Sequence, residues 1–575
     1  MAQRIEDYAL IGDCQTAALV GRDGSVDWLC LPRFDSGACF AALLGSPDNG
    51  RWKVAPAGEV TAVRRKYVGD TLVLETEFET ADGVVAVTDF MPVRTSVPDL
   101  VRVVEGRRGT VPMRSELVIR FDYGSIVPWV QKTHGENMKT VAEFAVKEGQ
   151  RVPFVLTYRQ SFDPVPRELD AEEALRDTVA WWEEWAGRCT AKCERRDLVV
   201  RSLVTLKAMT YAPSGGIIAA PTTSLPEWIG GARNWDYRFC WLRDATLMLL
   251  ALLNGGYADE AAAWQEWLLR AAAGDPSKLQ IMYGVGGERR LEEYEVPWLA
   301  GYEASKPVRV GNAAHAQFQL DVYGEVLDAM LHARLAGLKA APAGWALEKA
   351  LVQFVEKAWD QPDEGIWETR GPRRHFTHSK VMAWVALDRA ITTAEKFDLE
   401  APLDRWKEVR AAIHARVCRD GFDPKLNSFV QYFGGDRLDA ALLMIPVVGF
   451  LPPDDPRVKG TIAMVEKRLL RGGFVSRYEV PKGPDGPPRE GSFLACSFWL
   501  ADCYALTGER DKAREMFDRL TAICNDVGLL PEQYDPAAKR GLGNFPQGFS
   551  HVGLVNTALN LSRPAEGPAE QRKNK

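Results

Sequence analysis

Two glutamates far apart in the chain stand in contexts that could do acid-base chemistry. Glu368 follows Ile366-Trp367, and Glu532 lies in Leu530-Pro531-Glu532-Gln533-Tyr534. Cleaving a glycosidic bond takes two facing carboxyl groups, one kept protonated by apolar surroundings and one ionised. A tryptophan wall raises the proton affinity of a carboxyl group, so Trp367 suits Glu368 to the role of general acid. Gln533 and Tyr534 are polar neighbours expected to keep Glu532 ionised and to aim a water. Asp236, Glu293, Glu303 and Asp535 compete for both roles on spacing alone.

Around these glutamates the chain is rich in aromatic and charged residues. One stretch runs Arg233-Asn234-Trp235-Asp236-Tyr237-Arg238-Phe239-Cys240-Trp241-Leu242-Arg243-Asp244. Others carry Tyr294-Glu295-Val296-Pro297-Trp298 and Phe474-Val475-Ser476-Arg477-Tyr478-Glu479. Sugars have apolar ring faces and a rim of hydroxyls, which flat aromatics with Arg and Asp between them match. Trp235, Trp298, Trp367 and Gln533 are therefore candidate substrate contacts. Asp244 could accept hydrogen bonds from two hydroxyls of a terminal ring, with Arg243 fixing it. The pair also reads as a plain ion pair at a helix start.

The composition fits this chemistry and excludes others. The 575 residues are 46% hydrophobic and 26% charged, the balance of a globular protein with a large core. Net charge is -7, from 71 basic and 78 acidic residues without long runs of either sign, which argues against nucleic-acid and membrane-surface partners. No apolar stretch approaches the roughly 18 residues of a membrane span, and the first residues lack a signal-peptide core. Ten scattered cysteines then read as reduced, buried thiols of a cytoplasmic protein. Neither they nor the seven histidines show metal-ligand spacing. Monomer and homo-oligomer both stay open.

The elements that must position the glutamates come in two kinds. Residues 1–165 show strand alternation: Leu72, Leu74 and Phe78 against Glu75, Glu77 and Glu79, and a hairpin signal at Asp23-Gly24. An antiparallel β-sandwich is expected there, with a helical linker over 166–195. From 196 to 563 about twelve segments have helical period, the eighth over 436–447. Long loops follow the odd-numbered segments and short ones the even-numbered, so all long loops gather at one end. Six helix hairpins closed into an inner and an outer ring would put the loops of Glu368 and Glu532 opposite each other. An open solenoid of helix pairs fits the same periods. Residues 564–575 read as a disordered tail.

These motifs resemble glycoside hydrolase family 15, in its bacterial trehalase and glucoamylase-like branch, over nearly the whole length. Ile5-Glu6-Asp7-Tyr8-Ala9-Leu10-Ile11-Gly12-Asp13 and Asp23 to Ser36 look like a trehalase-like N-terminal domain. Asn234 to Ala245, Gly365-Ile366-Trp367-Glu368, Arg374 to Lys380, Pro531-Glu532-Gln533 and Asn544 to His551 look like the catalytic domain. The resemblance implies a multidomain chain, an N-terminal antiparallel β-sandwich plus a C-terminal (α/α)6 barrel. It implies an exo-acting, inverting α-glucoside hydrolase that needs no cofactor. Glu368 would be the acid and Glu532 the base. Arg243 and Asp244 would grip the terminal glucose, with Arg477 and Tyr478 beside them. The carboxyls would stand roughly 6.5–9.5 Å apart to admit a water. One departure is Thr369-Arg370 after Glu368, where well-known glucoamylases carry a second acidic residue. A basic neighbour changes the leaving-group side and argues against starch-chain specificity, and the lack of a starch-binding module and of an export signal favours a small α-linked gluco-disaccharide such as trehalose over starch. Short α-1,4 or α-1,6 glucosides are the alternative. An inverting phosphorylase is disfavoured by Glu532, and a binding protein without turnover by both intact glutamates. Arg33 and Asp35 are the residues of the sandwich that could reach the site.

Overall fold

The computed structural model describes residues 2–575 apart from 130–134, 137, 166, 273, 339–343, 480–489, 564–566 and 574–575. The N-terminal part is one curled antiparallel sheet. Its strands are β1 (Tyr8–Gly12), β2 (Ala17–Gly21), β3 (Ser25–Cys30), β4 (Ala38–Phe40), β5 (Arg51–Pro56), β6 (Val60–Tyr67), β7 (Leu74–Thr80), β8 (Gly83–Phe90), β9 (Asp99–Val118), β10 (Gly135–Glu136), β11 (Lys139–Lys147) and β12 (Arg151–Thr157). The order is β1-β2-β3-β5-β9-β8-β7-β6, with β4 on β3, β11 and β12 on β9, and β10 on β11. The long β9 pairs β8 and β12 along its first half and β5 and β11 along its second, so it is shared by two layers. The layers are also tied by polar groups. Tyr67 of β6 donates its hydroxyl to the Leu10 carbonyl of β1 (2.7 Å) and accepts the Leu10 N–H (3.0 Å). Arg102 of β9, fully buried, is held by Asp89 of β8 and donates to the carbonyls of Trp52 and Gly24. The expected β2–β3 hairpin forms, with Leu19 opposite Trp28.

A helix, α1 (Ala171–Gly187), leads out of the sheet. Asp170 caps it by accepting the N–H groups of Glu172 and Glu173 (2.9 and 3.0 Å). Twelve segments follow: α2 (Arg196–Ala208), α3 (Leu242–Gly255), α4 (Ala258–Ala271), α5 (Asp321–Leu335), α6 (Gly344–Ala358), α7 (Thr377–Lys396), α8 (Leu403–Asp420), α9 (Met444–Val447), α10 (Pro456–Leu469), α11 (Leu494–Leu506), α12 (Arg510–Thr521) and α13 (Gly548–Ser562). The odd-numbered helices from α3 to α13 form an inner ring. Each touches the next, and α13 returns to α3. This contact closes the ring and rules out the open solenoid. Inner and outer helices differ as burial demands. In α11 every residue from Leu494 to Tyr504 is buried. In α12 only Ala513, Met516, Phe517, Leu520 and Thr521 are, one stripe of an amphipathic helix. All the long connections precede inner helices and meet at one mouth. The main hydrophobic core runs from the sheet into the barrel, and a smaller cluster of Val73, Phe90, Val101, Val103, Ala171 and Ala174 joins the sheet to α1.

Two expectations need correction. The eighth segment is not one helix over 436–447. It is a 3-10 turn, Ala440–Leu443, followed by the single α-turn α9. Asp439 caps the 3-10 turn through the Ala441 N–H, and Pro446 has no N–H to continue a regular ladder. The tail is also not structureless throughout, although 564–566 and 574–575 lie outside the described residues. Pro568–Lys573 forms a short helix, α14, that packs against α13, α9 and α11. Its Arg572 is buried and pairs with Asp328 (2.7 Å) and Glu325 (3.4 Å) of α5, while its carbonyl accepts from Arg389 of α7. Composition predicts solvation for such a segment, but a buried pair of carboxylates supplies a docking point it cannot show. Arg572→Met strands Glu325 and leaves Asp328 to Arg389 and the more distant His332. It should cost about 3 kcal/mol, the lower end for losing one partner of a buried ion pair, read as a shift in the denaturant midpoint.

Candidate active site

At the mouth lies a cavity of about 260 Å³ walled by Glu227, Arg233, Trp235, Tyr237 and Trp241 from the loop before α3, Asn312 and Ala314 from the loop before α5, Trp367 to Arg370 from the loop before α7, and Arg477 and Tyr478 from the loop before α11. Asp439, at the start of the eighth segment, supports it from behind by accepting the Trp367 indole N–H (2.9 Å).

Glu368 stands on this wall with left-handed backbone (φ 47°), a strained conformation for a glutamate and of the kind found at functional sites. It accepts the Trp241 indole N–H and an Arg243 N–H, both at 3.2 Å. Arg243 also reaches the Ile366 carbonyl and holds Asp244 (2.7 Å), so the pair is buried directly beneath Glu368. It is an ion pair at a helix start and it also touches the site. Burial pushes the proton affinity of Glu368 above the ordinary glutamate range. Arg243 opposes this, Asp244 adds to it, and Arg477 and the Trp241 N–H oppose it.

Glu532 is fully buried and is reached through two hydrogen bonds. Tyr237 donates its hydroxyl to one oxygen (3.1 Å), and the Asn544 N–H donates to the other (2.9 Å). Gly543 has φ 73°, and a Cβ there would stand 2.3 Å from the Glu532 carboxylate, so only glycine allows this approach. Trp241 and Tyr237 are in edge contact (5.3 Å), so a chain of contacts runs Glu368, Trp241, Tyr237, Glu532.

The expectation that Gln533 and Tyr534 keep Glu532 ionised fails. Its proton affinity is pushed up to about 8, by burial first and by neighbouring Glu227 second; Arg477, the Asn544 N–H and the Tyr237 hydroxyl pull the other way. Neither neighbour donates a hydrogen bond to the carboxylate. Gln533–Asp535 is a short strand, and Gln533 turns from the cavity to pack on Gly491, while Tyr534 meets Phe474 (5.1 Å). Gln533 is thus not on the cavity wall. Trp298 is not either: it is half exposed and donates its N–H to the Tyr123 carbonyl of the N-terminal domain (3.0 Å). Trp235 is on the wall, with Arg309 and Arg370 guanidiniums over its ring (4.6 and 4.2 Å).

The four competing carboxylates have other partners. Asp236 pairs with Arg238, Glu293 with Arg370, Glu303 with Arg540, and Asp535 accepts turn N–H groups of Ala537 and Ala538. Arg33 and Asp35 pair with each other and border a different cavity with Glu288. Among the described residues no group of His, Cys, Asp and Glu is arranged to hold a metal ion.

Sequence reasoning missed one cluster. Glu227 accepts from Arg233 and Arg477 (both 2.8 Å), and Glu490 bonds the same two arginines (2.9 and 2.6 Å). The two opposite charge pairs neutralise each other beside Glu532. A signal existed: Leu225-Pro226-Glu227 repeats the tripeptide Leu530-Pro531-Glu532. Tyr237 and Trp241 lay in a stretch already singled out, but nothing local distinguished them from their neighbours.

The family model for glycosyl hydrolases family 15 matches residues 194–559, and the model for a trehalase-like N-terminal domain matches residues 1–156. The chain is 35% identical to a trehalase of Mycolicibacterium smegmatis, over 98% of this chain and 92% of that one. It is 34% identical to a trehalase of Thermoplasma volcanium, over 97% and 93%. Among solved structures, a bacterial glucoamylase complexed with acarbose has the same fold (TM-score 0.70, 11% identity, covering 100% of this chain and 96% of that one).

The Trp241 N–H favours the ionised form of Glu368. Trp241→Phe removes that donor and keeps an aromatic wall, so Glu368 should hold its proton to higher pH. In the pH profile of kcat/KM, the limb governed by Glu368 should move upward.

Proposed function

The chain belongs to glycosyl hydrolases family 15 and is a trehalase-type glycoside hydrolase, and on that premise we propose that it hydrolyses trehalose to two glucose molecules with inversion. Glu368 is the general acid. It protonates the bridging oxygen as that oxygen leaves the non-reducing glucose. Glu532 is the general base and takes a proton from the water that attacks the opposite face of the ring. Arg243 and Asp244, beneath Glu368, grip the terminal ring; Trp235, Trp367, Arg477 and Tyr478 complete the walls.

The observation that supports this reading most is the continuous path of contacts from Glu368 on the cavity wall through Trp241 and Tyr237, also on the wall, to Glu532 buried behind Tyr237. The working form carries one proton across the two carboxyls, on Glu368. Burial and the neighbouring Glu227 raise the proton affinity of Glu532, which makes its ionised form a stronger base than a free glutamate. The acceptor side is defined by Arg370, which lies on Trp235 and is held by Glu293 (2.6 Å). Every guanidinium on the cavity wall has a carboxylate partner, so the site suits a neutral sugar.

Glucose release from trehalose, isomaltose and maltose, with the anomer followed by NMR, tests the reading. Equal initial amounts of α- and β-glucose from trehalose, fastest of the three, are expected. Glu368→Gln and Glu532→Gln should each lower kcat by about 10²–10⁴-fold. Faster release from maltose or isomaltose would move the substrate and keep the chemistry. A sugar phosphate formed in phosphate buffer would overturn hydrolysis itself.

Arg370→Ala should lower kcat/KM for trehalose by about tenfold or more, the value of a charge-assisted hydrogen bond. Hydrolysis of α-glucosyl fluoride, whose leaving group does not reach Arg370, should stay near the wild-type rate.

A further inference from the structure

The strand Asn234–Asp236 and the residues just after it alternate between two environments. Trp235 and Tyr237 face the cavity. Asp236 and Arg238 are fully buried on the other side, against the N-terminal domain. Arg238 uses all five of its N–H donors. Two go to the Asp236 carboxylate (2.9 and 2.6 Å), one to the Ser36 carbonyl (2.8 Å), one to the Tyr123 hydroxyl (2.8 Å) and one to Cys30 Sγ (3.4 Å). The guanidinium also lies over the rings of Trp28 and Tyr123. All these partners except Asp236 belong to the N-terminal domain. Asp236 in turn accepts the Gly311 N–H (3.1 Å), and its carbonyl accepts from Asn312, a cavity residue (3.2 Å).

A buried ion pair of this kind adds little stability over well-packed apolar residues. A guanidinium with every donor engaged supplies direction instead: it fixes the backbone on either side of it. Tyr237 sits between the two members of the pair, and its hydroxyl is one of only two hydrogen-bond donors to the Glu532 carboxylate in the structure described.

We propose that the Asp236–Arg238 pair, anchored on Ser36 and Tyr123, lets the N-terminal domain position Tyr237 and through it the base, Glu532. Arg238 and Tyr123 are positioning residues; neither lines the cavity. The inference rests on the reading of Glu532 as general base. Other groups also act on Glu532. Glu227 and Arg477 face it from the loops before α3 and α11, and the Asn544 N–H from its own loop. Tyr237 itself faces Glu532, Glu227, Glu368 and Arg477. Tyr123 hydrogen-bonds Ser36, Arg238 and Trp298 and none of Glu227, Arg477 and Asn544, so the Tyr237 hydroxyl is a separable variable.

The test uses the full chain with Tyr123→Phe, which keeps the ring and removes the acceptor for Arg238. Loosening Tyr237 weakens a hydrogen bond to the ionised carboxylate, so Glu532 should keep its proton to higher pH. The expected result is a kcat lower by about tenfold, the scale of a small misplacement, with KM for trehalose within about twofold. The Glu532 limb of the kcat/KM profile should move to higher pH, as it does more strongly in Tyr237→Phe. In the Tyr237→Phe background, Tyr123→Phe should move the limb no further, since both act through one hydroxyl. Arg238→Lys, which keeps the charge and loses the fork, should reproduce the shift in protein whose Tm shows it folded. An unmoved limb in both folded variants, or additive shifts in the double variant, would reduce the pair to a bolt between domains and overturn the proposal. Full activity in Glu532→Gln would instead remove the base itself, and the positioning role with it.

Discussion

The inner helices have no wet face, and the rest of the structure follows from that. A helix such as Leu494–Leu506, buried along nearly its whole length, must be surrounded by protein. Six such segments find that environment by closing on one another, with an amphipathic ring outside and α13 returning to α3. Closure forces every outer-to-inner connection to the same end. Glu368 and Glu532, on connections half a ring apart, are brought to one end of the ring, Glu368 on the cavity wall and Glu532 one hydrogen bond behind it, because apolar surface has nowhere else to go.

The same burial sets the electrostatics of that cavity. Two carboxyls taken out of water both hold their protons more tightly than free glutamates do, and Glu532 most of all because Glu227 stands next to it. The surroundings limit this effect. Arg243 and the Trp241 N–H stabilise the ionised form of Glu368, while Arg477, Tyr237 and the Asn544 N–H stabilise that of Glu532. The Glu227, Arg233, Arg477 and Glu490 cluster keeps these charges paired, so the cavity gains polar specificity without a large net charge.

Among the described residues the N-terminal sheet supplies no side chain to the cavity wall, yet the wall is built against it. Trp28 donates to the Pro221 carbonyl, and Arg238 enters a pocket made by Ser36, Tyr123 and Cys30. The loop strands at the mouth form only two- and three-stranded sheets. The N-terminal domain acts as their support. One continuous core across both parts makes it a stiff one.

Much of this was legible in the residues themselves. Strand and helix periods marked the two parts, because hydrophobic spacing is a local property that burial imposes on each element. The alternation of long and short connections placed Glu368 and Glu532 at one mouth. Trp235, Trp367, Arg477 and Tyr478, singled out by type and motif, stand on the cavity wall, and Arg243 and Asp244 lie beneath Glu368. The tertiary structure decided the partners. Tyr237 reaches Glu532 across 295 positions, and Trp241 reaches Glu368 across 127. Strand alternation turned Gln533 away, the domain boundary took Trp298, and two buried carboxylates of α5 drew in a tail that composition marks as solvated. Which carboxyl holds a proton depends on charges and dielectric within a few ångströms. Chain order does not encode that neighbourhood, and only the closed ring creates it.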